Sequence, residues 1–151
     1  MGSLFLEDFF YSKIVKPLMY KSTLGRNSIE GLADTGFNSE YMYQNKSSGD
    51  GLMGAVIDKI ILNLPAVKAT RNRKETIKTI ISRHITENMQ KSNSTSILDI
   101  ASGSARYLVE LDSCLKNSFR ALCLDRDERS LQVGRLLAEK FGVQENITFQ
   151  K

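Results

Sequence analysis

Residues Ile97–Tyr107 read ILDIASGSARY, and this stretch decides the fold of the chain. Its start, Ser96–Ala101, is typical of a short strand, and small residues then lead up to Ala105 and a helical pattern. Small side chains let the backbone turn tightly and let a ligand approach the main chain. The helix that follows points its free N–H groups at the same place. In a parallel sheet this turn lies at the carboxyl end of a strand, where ligands bind.

A second signal is an acidic residue at the end of the next predicted strand. Asp125 directly follows the apolar run Arg120–Leu124 and stands 22 residues after Gly103. This is close to the separation of about 20 residues that is typical of a carboxylate that binds a ribose. A carboxylate can accept hydrogen bonds from both hydroxyls of a vicinal diol, and each charge-assisted bond contributes about 1.5–3 kcal/mol.

Strand and helix patterns alternate through the rest of this part of the chain. Amphipathic helices are predicted over Ala105–Lys116 and Glu128–Phe141, and a third strand begins at Asn146–Gln150. Short connections between such elements imply parallel strands with right-handed crossovers. We therefore predict an α/β fold in which a helical N-terminal cap region (1–93) precedes the first half, β-α-β-α-β, of a Rossmann-like parallel sheet (94–151).

The predicted cap is read from helical spacing and from two prolines. Leu4–Leu24 predicts a helix that Pro17 kinks or restarts. Leu52–Leu62 predicts a short apolar helix, and Ala66–Met89 predicts a long helix whose basic residues form a solvated face. Between these helices, Asn27–Gly51 predicts a looser segment with turns.

The stretch around the first strand resembles the class I S-adenosylmethionine-dependent methyltransferases. The first motif of that family is an acidic residue followed by glycines at alternate positions. This chain has the acid as Asp99 and the central glycine as Gly103, with Ala101 and Ala105 at the flanking glycine positions. The resemblance covers about Ser94–Lys151.

The resemblance implies S-adenosylmethionine as the cofactor and assigns roles to residues around the turn. The turn would line the methionine part of the cofactor, Asp99 would orient its amino-acid end directly or through water, and Asp125 would hold the ribose hydroxyls. Arg126 occupies the position beside the adenine. The implied cofactor-binding residues are Asp99, Ala101, Ser102, Gly103, Asp125 and Arg126.

Upstream, Asp34–Asn45 and Ala69–Lys74 are similar to a bacterial group of methyltransferases, some of them joined to α/β-hydrolase domains. In the full family, more strands and later loops complete the adenine pocket and the site of the methyl acceptor. We therefore expect a truncated product that turns over little or nothing as an isolated chain. We also expect self-association, a partner chain or marginal stability, because the third strand leaves an exposed edge.

Two other functions were weighed against a methyltransferase. The main alternative is a non-enzymatic binding module, in which the basic helix docks on a partner protein or an RNA and the cofactor loop is vestigial. A nicotinamide-dependent dehydrogenase is disfavoured because Ala101–Arg106 lacks the glycine spacing that a pyrophosphate needs. A literal G-x-G-x-x-G at Gly49–Gly54 follows polar, turn-like residues rather than a strand, so we expect it to open a helix.

Composition narrows the class of protein further. The chain has 151 residues, 41% of them hydrophobic and 25% charged, with a net charge of +4, which is ordinary for a soluble globular protein. No sequence run approaches the ~18 apolar residues of a membrane span. Cys114 and Cys123 show no metal-ligand or disulfide pattern, so we interpret them as reduced core thiols of a cytoplasmic protein.

Overall fold

The computed structural model describes residues 7–32, 35–91, 95–115 and 118–151. The N-terminal helix runs through a π-helical turn at Tyr11–Val15 into α1, Lys16–Lys21. Pro17 lies in the first turn of α1, directly after the π-helical turn. The chain then bends at Ser22, whose hydroxyl accepts a 3.0 Å hydrogen bond from the Gly25 N–H and so caps α2, Thr23–Ile29.

The segment predicted to be loose contains a third helix, α3, at Gly36–Gln44. The prediction for this segment was wrong, and the reason lies in which side chains α3 buries. Asn38 and Glu40 are only 1% and 3% exposed, so the helix packs with a polar face and lacks the apolar spacing that marks a helix in sequence. Thr35 begins it, because its hydroxyl accepts a 3.2 Å hydrogen bond from the Asn38 N–H.

Two longer helices complete the cap and agree with the sequence prediction. α4 spans Gly51–Leu62 and α5 spans Pro65–Met89, so the glycine-rich stretch Gly49–Gly54 opens a helix and no strand precedes it in the described residues. Pro65 begins α5, as the fixed φ of proline favours. A small apolar cluster joins α2, α4 and α5 through Leu24, Leu62 and Val67.

A parallel sheet follows the cap. In the described residues it has three strands, β1 (Ser96–Ile100), β2 (Arg120–Leu124) and β3 (Ile147–Gln150), in the order β1-β2-β3. The crossovers are α6, Arg106–Leu115, and α7, Glu128–Phe141. The predicted α/β fold with its β-α-β-α-β unit is confirmed. The predicted boundary between residues 93 and 94 falls outside the described residues.

Both crossover helices cover the same face of the sheet. Leu108 of α6 and Leu131 of α7 are fully buried there against Cys123 of β2, and α5 adds Ile85 to the same apolar cluster. The opposite face of β1 is open, since Leu98 and Ile100 are 60% and 73% exposed. Because side chains alternate along a strand, the residue between these two, Asp99, points toward the side that the helices cover.

The two cysteines differ in their surroundings. Both thiols are free, but Cys114 is exposed and only Cys123 is buried, so the prediction of two core thiols was wrong for Cys114. Burial, with a smaller effect from the charge of Asp99, raises the pKa of the Cys123 thiol to about 12. None of the helices in the described part of the chain has the length and apolar character needed to cross a membrane.

Candidate functional site

The turn after β1 has a left-handed backbone at every second residue. Ala101, Gly103 and Ala105 have φ angles of 59°, 59° and 46°. These are the three positions at which the resemblance places glycine, so the loop keeps a glycine-type path with two alanines in it. The Ser102 N–H donates a 3.0 Å hydrogen bond to the Leu124 carbonyl, which fixes the loop against the end of β2.

The carboxylate of Asp125 contacts this loop directly. Its Oδ2 atom accepts a 2.7 Å hydrogen bond from the Gly103 N–H, and its Oδ1 atom accepts a 2.8 Å bond from the Asp127 N–H. The ends of the two neighbouring parallel strands therefore meet, and the structure brings together the two signals read from the sequence. Each oxygen keeps further lone pairs that a ligand hydroxyl can use.

Asp99 lies at the other end of the loop, half-buried beneath α6. The hydroxyl of Tyr107 donates a short hydrogen bond to its Oδ2 atom. Burial raises the pKa of the Asp99 carboxyl, and the nearby negative charge of Asp125 raises it further, while the bond from Tyr107 acts in the opposite direction. Burial and the Asp99 charge likewise raise the pKa of Tyr107, so this phenol stays a hydrogen-bond donor.

A cavity of about 820 Å³ lies between the loop and the helical cap. This volume falls in the range of roughly 300–1,000 Å³ that is usual for small-molecule sites. From the sheet side it is lined by all six residues named from the resemblance: Asp99, Ala101, Ser102, Gly103, Asp125 and Arg126. From the cap it is lined by Thr35, Gly36, Ser39, Tyr43, Arg73 and Ile77.

The start of α3 packs backbone to backbone against the loop. A Cβ atom added to Gly36 would lie 2.6 Å from the Cα of Gly103 and 2.8 Å from the hydroxyl of Ser130. No side chain fits at that distance, so Gly36 allows the cap to close over the turn. α3 then runs along the cavity for two turns to Tyr43.

A buried carboxylate ties α3 to the loop and to α6. Glu40 accepts a 3.0 Å hydrogen bond from the Ser104 hydroxyl, and both of its oxygens lie 2.9 Å from the Arg106 Nε atom. The Glu40 side chain is 4% exposed and that of Arg106 is 15% exposed, so both charges are largely removed from water. Removing one partner of such a pair is costly because the other charge stays buried.

The network continues to α5 through Glu110. This carboxylate lies 2.8 Å from the Lys74 ammonium, 2.9 Å from that of Lys78 and 3.2 Å from the Arg106 guanidinium. Burial by itself would raise the pKa of Glu110, but the bonds from the two lysines and the arginine lower it to about 2. Lys74 is only 8% exposed. The prediction of a solvated basic face is therefore wrong for Lys74.

The cap side of the cavity was missed in the sequence. Gly36, Glu40 and Arg73 stand 26 or more residues upstream of Asp99, and no local motif connects them with the loop. The nearest signal was the stretch Asp34–Asn45, which resembles the bacterial methyltransferase group and contains both Gly36 and Glu40. Tyr43 of α3 also lines the cavity.

A family model described as "Putative methyltransferase" matches residues 4–151. The chain belongs to this methyltransferase family. The match extends over the cap as well as the sheet, so the helices that close the cavity are part of what the family shares. The resemblance to methyltransferases inferred from the loop is confirmed at the level of the family.

A curated relative and a solved structure resemble this chain over most of its length. The uncharacterized protein YnbC of Escherichia coli (strain K12) is 25% identical over 118 residues, which are 78% of this chain and 20% of YnbC. This chain thus spans about a fifth of the length of that curated relative. A possible exported protein from Bordetella parapertussis has a TM-score of 0.61 at 22% identity, over 89% of this chain and 43% of its own, and supports the fold.

A second solved structure is a SAM-dependent methyltransferase from Geobacter sulfurreducens, in complex with S-adenosyl-L-homocysteine. It has a TM-score of 0.38 and 22% identity, over 48% of this chain and 27% of its own. This likeness is loose.

Proposed function

We propose that the cavity binds S-adenosylmethionine and that this chain carries the methyl-donor half of a methyltransferase. The observation that carries the proposal is the hydrogen bond from the Gly103 N–H to the Asp125 carboxylate. It joins a glycine-type loop and a strand-end acid on one wall of a cavity of about 820 Å³. Membership of the methyltransferase family supports the same function.

The residues of this wall suit the parts of the cofactor. The free lone pairs of Asp125 can accept hydrogen bonds from a ribose diol, and the backbone of Ala101–Gly103 can lie along the methionine chain. Asp99, which lines the cavity at the far end of the loop, would orient the amino-acid end of the ligand. Arg126 follows Asp125 and would lie beside the adenine.

When bound, S-adenosylmethionine supplies an electrophilic methyl group on a sulfonium. The task of the protein is then to hold donor and acceptor in line at short distance, which can lower a barrier by about 7–11 kcal/mol. The described residues offer the donor half of that arrangement through Asp125, Asp99 and the loop. We expect residues 1–151 alone to show little or no turnover.

Calorimetry with S-adenosyl-L-homocysteine tests the proposal. The purified chain should bind this ligand, and Asp125→Asn should weaken binding by roughly ten- to a hundredfold, as the loss of charge-assisted hydrogen bonds predicts. Asp50→Asn is the matched control, because Asp50 is an exposed acid that pairs with Arg26 and does not line the cavity. Thermal melts of both variants show whether each remains folded.

Two results would contradict the proposal. One is equal binding by the chain and by Asp125→Asn. The other is the absence of any binding of S-adenosyl-L-homocysteine together with salt-sensitive affinity for RNA, which would favour the non-enzymatic binding module.

A further inference from the structure

The proposed cofactor site assigns no role to Arg73, a cationic residue on the cavity wall. Arg73 lines the cavity from α5, and among the described residues it makes no ion pair or side-chain hydrogen bond. Its neighbours on the same helix are engaged, since Lys74 and Lys78 bind Glu110 and Arg71 donates a 2.9 Å hydrogen bond to the Leu62 carbonyl.

The other arginines of the cavity are unsuited to the same part of a ligand. Arg106 is neutralised, because its guanidinium binds Glu40 and Glu110. Arg126 follows Asp125 and so lies at the ribose end of the cavity. Among the described residues, Arg73 therefore offers positive charge that is not paired with a carboxylate.

Arg73 lines the same cavity as Asp99, from the wall that the cap provides. On α5 it lies one turn before Ile77, which also lines the cavity, and one residue before Lys74, whose ammonium is 5.8 Å from the centre of the Tyr43 ring. Tyr43 lines the same cavity as Tyr107, and the Tyr107 hydroxyl binds Asp99. A carboxylate and a guanidinium thus line the same cavity, one from the sheet and one from the cap.

We propose that Arg73 binds the carboxylate of the cofactor's amino-acid tail, while Asp99 binds its ammonium group. An α-amino acid has its ammonium and carboxylate groups on the same carbon. Such a zwitterion fits a cavity that presents one carboxylate and one unpaired guanidinium. The guanidinium is suited to this role because its fork of N–H donors matches both oxygens of a carboxylate. This inference rests on the proposed function and adds a residue of the helical cap to the donor site.

The test compares two ligands that differ only in the carboxylate. S-adenosyl-L-homocysteine has it, and S-adenosyl-3-thiopropylamine, its decarboxylated analogue, lacks it. Arg73→Gln should weaken binding of the first ligand about tenfold, which is modest because Arg73 is an exposed residue, and should change binding of the second by less than about twofold. Arg73→Lys should recover part of the loss, since it restores the charge without the fork.

A control variant and two kinds of outcome distinguish a failure of the Arg73 role from a failure of the cofactor site. Arg83→Gln removes an arginine from the same helix whose side chain is 67% exposed and does not line the cavity, and it should bind both ligands as the unaltered chain does. If the unaltered chain binds neither ligand, the proposed function itself fails. If it binds S-adenosyl-L-homocysteine and Arg73→Gln weakens both ligands equally, or neither, the role of Arg73 is refuted while the cofactor site stands.

Discussion

Replacing Ala101 by glycine should stabilise this protein, although glycine usually weakens a fold. Ala101 has a φ of 59°, and an L-residue in the left-handed region costs about 1–2 kcal/mol that glycine avoids. Glycine also lowers the stability by about 0.4–1 kcal/mol, because it increases the conformational entropy of the unfolded chain. Since Ala101 is exposed and its methyl group buries little, the net gain should be about 0.5–1 kcal/mol.

The same substitution at Ala105 should behave differently. Its φ is 46°, so it gains comparably from glycine, but the residue is only 1% exposed. Removing a buried methyl group costs about 0.8 kcal/mol, plus a term for the small cavity that remains. These losses offset the relief of strain, and Ala105→Gly should be neutral or slightly destabilising.

Urea unfolding followed by circular dichroism measures both free energies of unfolding. Ala69→Gly is the matched control, because Ala69 is an exposed residue inside α5, where glycine should cost about 1 kcal/mol. The expected order of stability is Ala101→Gly, then Ala105→Gly, then Ala69→Gly. If Ala101→Gly destabilises the chain as much as Ala69→Gly does, the loop does not have the left-handed backbone on which the site is built.

Three further outcomes follow from the contacts around the loop. Glu40→Gln should lower the free energy of unfolding by about 1–3 kcal/mol, since Arg106 loses one carboxylate partner and keeps its 3.2 Å contact with Glu110, and a denaturant titration would show it. Gly36→Ala should weaken S-adenosyl-L-homocysteine binding in calorimetry, because its Cβ would lie 2.6 Å from the Gly103 Cα and push the loop aside. Glu110 has its pKa lowered from 4.5 to about 2, so its ion pairs stabilise the fold above pH 4.5 and are lost as the pH falls toward 2. The difference in unfolding free energy between the unaltered chain and Glu110→Gln should therefore shrink across that interval, and a constant difference would contradict it.

The α/β half was predictable because its signals are local. The apolar run of β2, the spacing of α7 and the short connections between them each specify one element, and right-handed crossovers leave few ways to join them. Asp99, Gly103 and Asp125 were found for the same reason, since strand ends in a parallel sheet share one edge. Periodicity read on a single element was sufficient for these parts.

The cap was harder to predict because its decisive contacts are polar and distant in sequence. α3 turns Asn38 and Glu40 inward, so a method that reads apolar spacing finds no helix there. Lys74 looked solvated because its partner, Glu110, belongs to another helix 36 residues away. The open face of β1, with Ile100 73% exposed, was also hidden, since buried and open strands share the same apolar composition.

The polar character of the contact between cap and loop bears on how the site is built. An apolar contact between α3 and the loop would hold them together but would tolerate sliding, because hydrophobic burial has no direction. The Glu40 carboxylate instead binds the Ser104 hydroxyl and the Arg106 guanidinium at once, which fixes α3 relative to both the turn and the start of α6. Two largely buried charges are a costly way to stabilise a fold, and their desolvation can cancel the gain from pairing. Their contribution here is geometric: Glu40 ties α3 to the loop and to α6 beside the point where Gly36 meets Gly103, on the wall of the cavity that Asp99 and Asp125 also line.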